Sequence, residues 1–539
     1  MSRLSACPDV AREPYCALPD SAPSPREKAL RTPAKPRILN PTATPPEICP
    51  MNPEVIVFIL YLLCMLGIGV FFFFRDRKGG EKTFFLGDRK MGAWVGALSA
   101  GASDMSAWVL MGLPTSVYAF GLGKIWIPVG LVAGYTASWL IEAPRLRRFS
   151  IVAGDAITIP QYLSNRFLAK SKALQVICAV VFLLAYTVYA ASSIKACGTL
   201  FHKVIGMDPM AAMFLAVFII VGYTFMGGFS AVCWTDFFQG LLILGAMMLA
   251  PVFAFLMLDF LGEHIDPASH YWNPAADWRD IVSGLAWGLG YFGMPHIIIR
   301  FMSIKSQKTL KRSAWIGIAW TVLILVFAAL IGIVGRLDFG MDADLAKNEL
   351  VFVQMVRRIF PGVISGVLLS AVLAASMSTA DSQLLSASSS LASDVYKPII
   401  RRNQASDREL MWIGRFVVLA VAVVALVLAA NPNSGSIMGL VENAWGLFGA
   451  AFGPAILLSL FWRKFNFAGA IAGIVVGAAV DIGWLIFLKD TGIYEILPGF
   501  AAGWLAAFVA AKIAGTPSEA VMRLYDDAVA YVDIFAHDD

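Results

Sequence analysis

Charge is scarce in this chain. Asp, Glu, Lys and Arg make up 15% of its 539 residues and hydrophobic types 58%, whereas soluble domains are about 25% charged. That shortage excludes a string of soluble domains, which could not clothe their surfaces with so few polar groups. Histidine is rare at five residues, and the seven cysteines are scattered without Cys-x-x-Cys spacing. Neither a disulfide framework nor a zinc site follows from them. The sequence lacks a Gly-rich phosphate loop, His-Glu-x-x-His and Gly-x-Ser-x-Gly. ATPase and hydrolase motifs are therefore missing, and the expectation is that the protein is not an enzyme and has no cofactor. A net charge of +5 suits loops beside anionic lipid and implies no nucleic-acid partner.

What the chain has in quantity is apolar blocks of bilayer length. Thirteen spans are expected, near 54–74, 92–118, 124–143, 173–202, 209–228, 236–259, 281–300, 314–336, 360–392, 410–431, 437–462, 467–488 and 497–514. The fold class is thus an all-α polytopic membrane protein. Residues 1–50 differ, with eleven prolines, seven Lys or Arg and one aromatic, Tyr15. Such a segment buries too little to fold, and translation is expected to begin at Met51. The transporter-like body is expected over 51–516, with a short tail at 517–539. Basic residues cluster at 75–90, 145–172, 300–312, 397–408 and 463–464. Roughly 25 Lys/Arg lie on those sides against about eight on the other, which makes the basic side cytoplasmic. Thirteen spans then leave the N-terminus periplasmic and the C-terminus cytoplasmic.

Two spans carry the wrong residues for a plain membrane helix. One contains Gly101-Ala-Ser-Asp-Met-Ser-Ala-Trp108 and runs on to Pro114. A carboxylate at mid-membrane costs roughly 2.5–3.5 kcal/mol on insertion scales and marks a functional site by default. Small residues beside it let the helix unwind, which is tolerated at that depth where backbone lines a cavity. The other contains Ala375-Ser-Met-Ser-Thr379. A small hard cation such as Na⁺ prefers oxygen ligands. Two hydroxyls and a carbonyl here, with carbonyls of the unwound Ala102–Met105 region, would supply about five. Hydroxyls bonded back to their own helix are the structural alternative.

These segments, with Tyr223-Thr-Phe-Met-Gly-Gly228, Trp234-Thr-Asp236, Trp287-Gly-Leu-Gly-Tyr-Phe-Gly293, Pro295-His296, Arg300-Phe-Met302 and Met377-Ser-Thr379, resemble the sodium/solute symporter family, and within it the bacterial sodium/proline branch. The match covers close to 90% of the chain with all motifs in order. It implies a leucine-transporter-like fold of two inverted five-helix repeats, about 92–259 and 281–462. It also implies alternating-access import of L-proline with Na⁺ across the bacterial cytoplasmic (inner) membrane, with the lipid bilayer but no obligate protein as partner.

Residue by residue, the resemblance assigns sodium to the carbonyls of Ala102, Met105 and Ala375 and the hydroxyls of Ser378 and Thr379. It assigns ion coupling to Asp104 and Asp236, although Thr235-Asp236 before an apolar run also reads as a helix N-cap. The solute pocket falls to Ser106, Trp108, Tyr189, Trp287 and Tyr291. Aromatic walls suit a substrate with an apolar ring and a secondary ammonium. Ala107 stands where the family usually has Gly, and Met294 where it commonly has Gln. Both put the solute in question, so pantothenate or a carboxylate is an alternative; a membrane sensor is a more remote one, since the tail is short. Glu442, Lys195 and Arg415 receive no role.

Overall fold

The computed structural model describes residues 52–76, 80–257, 269–275 and 277–532. The expectations for residues 1–50 and for a start at Met51 lie outside them. The described residues are overwhelmingly helical. The principal helices are α1 (Pro53–Asp76), α2 (Ala93–Asp104), α3 (Trp108–Phe120), α4 (Leu122–Val152), α5 (Ala173–Ile205), α6 (Pro209–Phe225), α7 (Gly228–Met257), α8 (Trp278–Phe292), α9 (Pro295–Ser303), α10 (Gln307–Phe339), α11 (Gly362–Ile400), α12 (Asp407–Ala430), α13 (Ile437–Phe461), α14 (Phe467–Phe487), α15 (Ile496–Ile513) and α16 (Glu519–Ala530).

Ten of these are long and apolar enough to cross a membrane, or eleven with α8 and α9 taken as one span bent by 45°. The expected count of thirteen is not reached: among the described residues the expected segments fall on helices, but two of them are too short or too interrupted to count as spans. The expected span 92–118 is divided into α2 and α3, and α6 is a short apolar helix. The cause of each interruption is local. Gly228, at φ 60° and ψ −168°, bends the chain between α6 and α7 in a conformation that a side chain would resist. Met294 caps α9, whose first residue is Pro295, and proline cannot continue the hydrogen bonding of the preceding turn.

Burial separates inner from outer helices. The most apolar window of α11 is 83% buried and that of α13 89%, against 22% for α1 and 28% for α15. In lipid, such inner helices associate through close packing rather than water exclusion. The clearest example joins α4 to α8. A Cβ on Gly134 would stand 2.1 Å from the Gly288 carbonyl, and one on Gly130 2.3 Å from that of Gly284. Two small-x-x-x-small stripes therefore let the backbones touch.

The basic connections gather at one end. Arg89 donates to Asp155 at 2.8 Å and to the Met302 carbonyl at 2.6 Å, and Arg147 donates to the Ile304 carbonyl at 2.8 Å. Lys397 pairs with Glu81 and Lys82 with Asp155. α16 docks on this same face: Arg463 holds Asp526 through two bonds of 2.8 and 2.7 Å, and Arg166 reaches the Val521 carbonyl at 3.1 Å. At the opposite end Lys124 meets Asp280 at 2.8 Å, and Glu349 accepts the first N–H groups of α13 from Ile437 and Met438.

Candidate cation and solute site

The gap between α2 and α3 is built by redirected hydrogen bonds. In an uninterrupted helix the Ala102 carbonyl would accept the Ser106 N–H, and that of Met105 the Val109 N–H. Here Ser106 N–H donates to the Asp104 carbonyl at 3.0 Å, and Val109 N–H to the Ser106 carbonyl at 3.1 Å. Met105, at φ −82° and ψ 73°, has left the helix. Short polar side chains favour such a break because they compete with the backbone; the Ser106 hydroxyl stands 3.5 Å from the Trp108 N–H. The chain then re-enters a helix through a π-turn at Trp108–Gly112.

The Ala102 carbonyl thus released lies where α11 passes. Ser378 Oγ donates to the Ala102 carbonyl at 2.8 Å and lies 3.2 Å from that of Ala375. Thr379 is fully buried, and its hydroxyl has no hydrogen-bond partner among the described residues. Ala102, Ala375 and Ser378 are therefore brought together, Thr379, the next residue of α11, has an unsatisfied buried oxygen, and Met105 sits buried at the end of the same turn. Uncharged oxygens of this kind fit a small hard cation. An isolated buried hydroxyl costs about 1–3 kcal/mol unless something satisfies it.

Asp104 faces the other way. One of its carboxylate oxygens accepts the Tyr291 hydroxyl at 2.5 Å, and the second has no partner among the described residues. Its main-chain carbonyl accepts from Tyr189 Oη at 3.2 Å and Trp108 Nε1 at 3.3 Å. Around it lies a buried aromatic wall. Trp108 and Trp287 have ring centroids 5.8 Å apart, and Tyr291 stands 5.1 Å from Tyr135 and 5.0 Å from Trp445. Tyr494 approaches Trp287 at 5.1 Å, and Trp445 Nε1 donates to the Trp287 carbonyl at 2.8 Å. All five solute-pocket residues expected from sequence meet the broken turn or this wall. Tyr135, Trp445 and Tyr494 were not foreseen. Trp445 carried a usable signal, an aromatic among small residues in Ala444-Trp-Gly446, like that of Gly101–Trp108.

Asp236 is not a helix N-cap. It lies eight residues inside α7, because the helix begins at Gly228 rather than at the apolar run after Thr235. Its buried carboxylate accepts from Ser99 Oγ at 2.6 Å and from the Arg300 guanidinium at 3.0 Å. Arg300 also reaches Ser99 Oγ at 3.1 Å and Ser382 Oγ at 2.5 Å. α2, α7, α9 and α11 thereby converge on one ion pair, with the buried Asp381 next to Ser382. Lys195 donates to Ser434 Oγ and the Gly435 carbonyl, and Arg415 to the Phe225 carbonyl at 2.9 Å. At Glu442 the main-chain carbonyl accepts the Tyr494 hydroxyl at 2.8 Å.

Known proteins share both the sequence and the fold. The chain is 44% identical to the high-affinity proline transporter PutP of Bacillus subtilis, over 86% of this chain and 98% of that protein. It is 41% identical to the osmoregulated proline transporter OpuE of the same organism, over 88% and 98%. A sodium/proline symporter of Staphylococcus aureus is 40% identical over 86% and 93%. Among solved structures, a Na⁺-coupled sialic acid symporter in a substrate-bound outward-open state matches with a TM-score of 0.71 at 20% identity, over 87% of this chain and 99% of that one. Mhp1, a nucleobase-cation-symport-1 family transporter, matches with a TM-score of 0.54 at 16% identity, over 82% and 98%. The architecture is accordingly the leucine-transporter-like one of two inverted five-helix repeats. The model of the sodium:solute symporter family matches residues 84–477, and the chain belongs to that family.

Proposed function

We propose that the protein imports L-proline together with Na⁺ across the bacterial cytoplasmic membrane by alternating access. The observation that carries this reading is the turn at Ala102–Trp108. It offers the released Ala102 carbonyl to the Ser378 hydroxyl of α11 on one side and a carboxylate set among aromatic rings on the other. Na⁺ is taken by the carbonyls of Ala102, Met105 and Ala375 and the hydroxyls of Ser378 and Thr379. Proline occupies the wall of Trp108, Tyr189, Trp287 and Tyr291, with Ser106 at its edge; its ring is apolar and its ammonium sits well on a π-face. Asp104 holds the local charge and the Tyr291 hydroxyl, and Asp236 ties the moving helices through Arg300. The inverted repeats run over 92–259 and 281–462, with the basic face cytoplasmic and the N-terminus outside.

Na⁺ bridging α2 and α11 stabilises the conformation in which the aromatic pocket is formed, and solute binding then permits closure and inward opening. Coupling is reciprocal, so Na⁺ raises proline affinity by the factor by which proline raises Na⁺ affinity. Membrane potential adds about 2.3 kcal/mol per charge per 100 mV. The names of the relatives at 40–44% identity agree with this reading. The test is uptake of labelled proline into proteoliposomes with an imposed Na⁺ gradient. Uptake should follow the gradient, and Ser378→Ala should raise the half-saturating Na⁺ concentration; uptake indifferent to Na⁺ overturns the reading. Competition by unlabelled pantothenate and carboxylates decides whether the buried Ala107 and Met294 have changed the solute.

A further inference from the structure

Polar residues recur along α11 in steps of four. Ser378, Ser382, Ser386, Ser390 and Asp394 each lie one turn from the next, and none is more than 8% exposed. The row begins at the Ala102 carbonyl, to which Ser378 donates, and ends near the basic face, where Lys397 pairs with Glu81. Near its start Ser382 is taken by Arg300. Its last members are free.

Asp394 is fully buried. One carboxylate oxygen accepts the Thr158 hydroxyl at 2.8 Å, and Thr158 is itself fixed as the N-cap of the helix Ile159–Arg166, where it accepts the Gln161 N–H at 3.1 Å. The other oxygen has no hydrogen-bond partner among the described residues, and the nearest cation along the chain, Lys397, is committed to Glu81. The hydroxyls of Ser390 and Ser393 are buried and unpartnered too. Here α11 winds as a wider π-helix, Ser390–Ile400, that contains Pro398. Proline has no N–H, so a main-chain carbonyl of the turn before it lacks its usual donor. A buried carboxylate left so poorly balanced is costly in hydrocarbon. With these hydroxyls it offers the hard oxygens that a small cation takes.

We propose that Asp394, with the hydroxyls of Ser390 and Ser393, is a second Na⁺ site, occupied by the ion on its way from the Ser378 region to the basic face. This inference rests on the Na⁺-symport reading above. The site stands roughly three turns beyond Ser382 and the Asp236–Arg300 pair, so it is separate from both. An ion crossing a dry interior needs oxygens within reach at each step, and a site that speeds its passage must also bind weakly enough to let it go. One carboxylate with a few neutral ligands meets both needs. Asp394 thus sets the rate of ion release, while the affinity of the first site is set at Ala102 and Ser378.

The test compares two transport modes of the full-length protein in proteoliposomes. Net proline uptake on a Na⁺ gradient requires the ion to leave at the basic face in every cycle. Proline exchange at equal Na⁺ on both sides does not, because the ion can stay bound. Asp394→Asn should slow net uptake about tenfold, the scale of one charged ligand, while exchange and the half-saturating external Na⁺ concentration stay at the wild-type level. Ser390→Ala with Ser393→Ala, which keeps the carboxylate, should show the same split at about threefold, since neutral ligands contribute less; it carries the test should Asp394→Asn fail to fold. Ser370→Ala, whose hydroxyl bonds back to the Gly366 carbonyl, should change neither mode. Equal losses in both modes would make Asp394 a packing residue, and unchanged net uptake in Asp394→Asn would mean that its carboxyl is simply protonated; either result overturns the site. Binding of radiolabelled Na⁺ to the purified protein judges the site apart from transport. It should show a weak component that Asp394→Asn removes and Thr379→Val retains. Wild-type uptake indifferent to Na⁺ would sink the symport reading, whereas absence of that component would sink the second site.

Discussion

Thr379→Val separates a ligand from a structural hydroxyl. Valine keeps the β-branched shape and removes only the oxygen. In this structure that oxygen is fully buried and makes no hydrogen bond among the described residues, so the Na⁺-free protein loses nothing by its removal. It is relieved of an unsatisfied group worth about 1–3 kcal/mol. If the hydroxyl is one of about five sodium ligands, its loss weakens Na⁺ binding by roughly 2 kcal/mol, the scale of a hydrogen bond to a charge. That is about a thirtyfold rise in the dissociation constant. At a Na⁺ concentration 100 times the wild-type constant, stabilisation by the ion falls from about 2.7 to about 0.9 kcal/mol. The assay is thermal inactivation of the purified transporter with and without Na⁺, beside Na⁺ activation of proline uptake. The Na⁺-free midpoint should stay level or rise while the Na⁺-induced shift collapses. A lower Na⁺-free midpoint with an unchanged half-saturating Na⁺ concentration would make Thr379 a packing residue and refute the assignment.

Three further perturbations test neighbouring parts of the argument. Tyr291→Phe removes the 2.5 Å bond to Asp104 and leaves that carboxylate with neither oxygen paired to a side chain among the described residues. A loss of about 1.5–3 kcal/mol should show in both thermal stability and the KM for proline. Asp236→Leu alone strands the buried Arg300 guanidinium and should cost about 3–5 kcal/mol, whereas Asp236→Leu with Arg300→Leu should cost less; a double variant less stable than the single one would refute the pairing. At the basic face the Arg463 guanidinium, by its hydrogen bonds first and its charge second, holds the Asp526 carboxyl below the usual carboxylate range. A group whose folded-state pKa is depressed stabilises the fold above its unfolded value, and that contribution is lost as pH falls through the folded value. Proteolysis of α16 should therefore quicken as pH drops below the ordinary carboxylate range. Arg463→Gln should be cut faster at neutral pH and show a weaker acid response; equal pH profiles would count against the clamp.

The parts of this fold that could be read from sequence are those where a residue is out of place in lipid. Asp104 among Gly, Ser and Ala announced a broken span, because a carboxylate costs too much in hydrocarbon to be incidental; Ser378-Thr379 was a weaker sign, because hydroxyls of a membrane helix commonly bond back to their own backbone, as Ser370 and Ser376 do here. Asp236 was harder. An N-cap and a mid-helix carboxylate have the same local sequence, and the deciding partner, Arg300, lies 64 residues away. The aromatic wall was half legible: Trp287 and Tyr291 share a helix face, but Tyr135, Trp445 and Tyr494 come from three other segments. Gly130, Gly134, Gly284 and Gly288 stood in plain view as two small-residue stripes. Their pairing depends on α4 and α8 crossing, which no local pattern states. The span count blurred for the same reason, since interrupted helices such as α2 and α3 are apolar in composition and short in geometry.

One turn of backbone gives the proposed coupling its physical basis. The Ser106 N–H that abandons the Ala102 carbonyl is taken up by the Asp104 carbonyl, which also receives the Trp108 indole and the Tyr189 hydroxyl. The carbonyl freed toward α11 and the aromatic groups gathered toward the pocket are thus two consequences of one rearrangement. If Na⁺ holds the Ala102 carbonyl, re-forming a regular helix there must first release the ion, and it would also withdraw the Asp104 carbonyl from Trp108 and Tyr189. Ion and solute then favour the same broken state without touching, which is all that reciprocal linkage requires. On the proposed function Asp104, adjacent to the break and bonded to Tyr291, would bear on that state without itself having to ligate the cation.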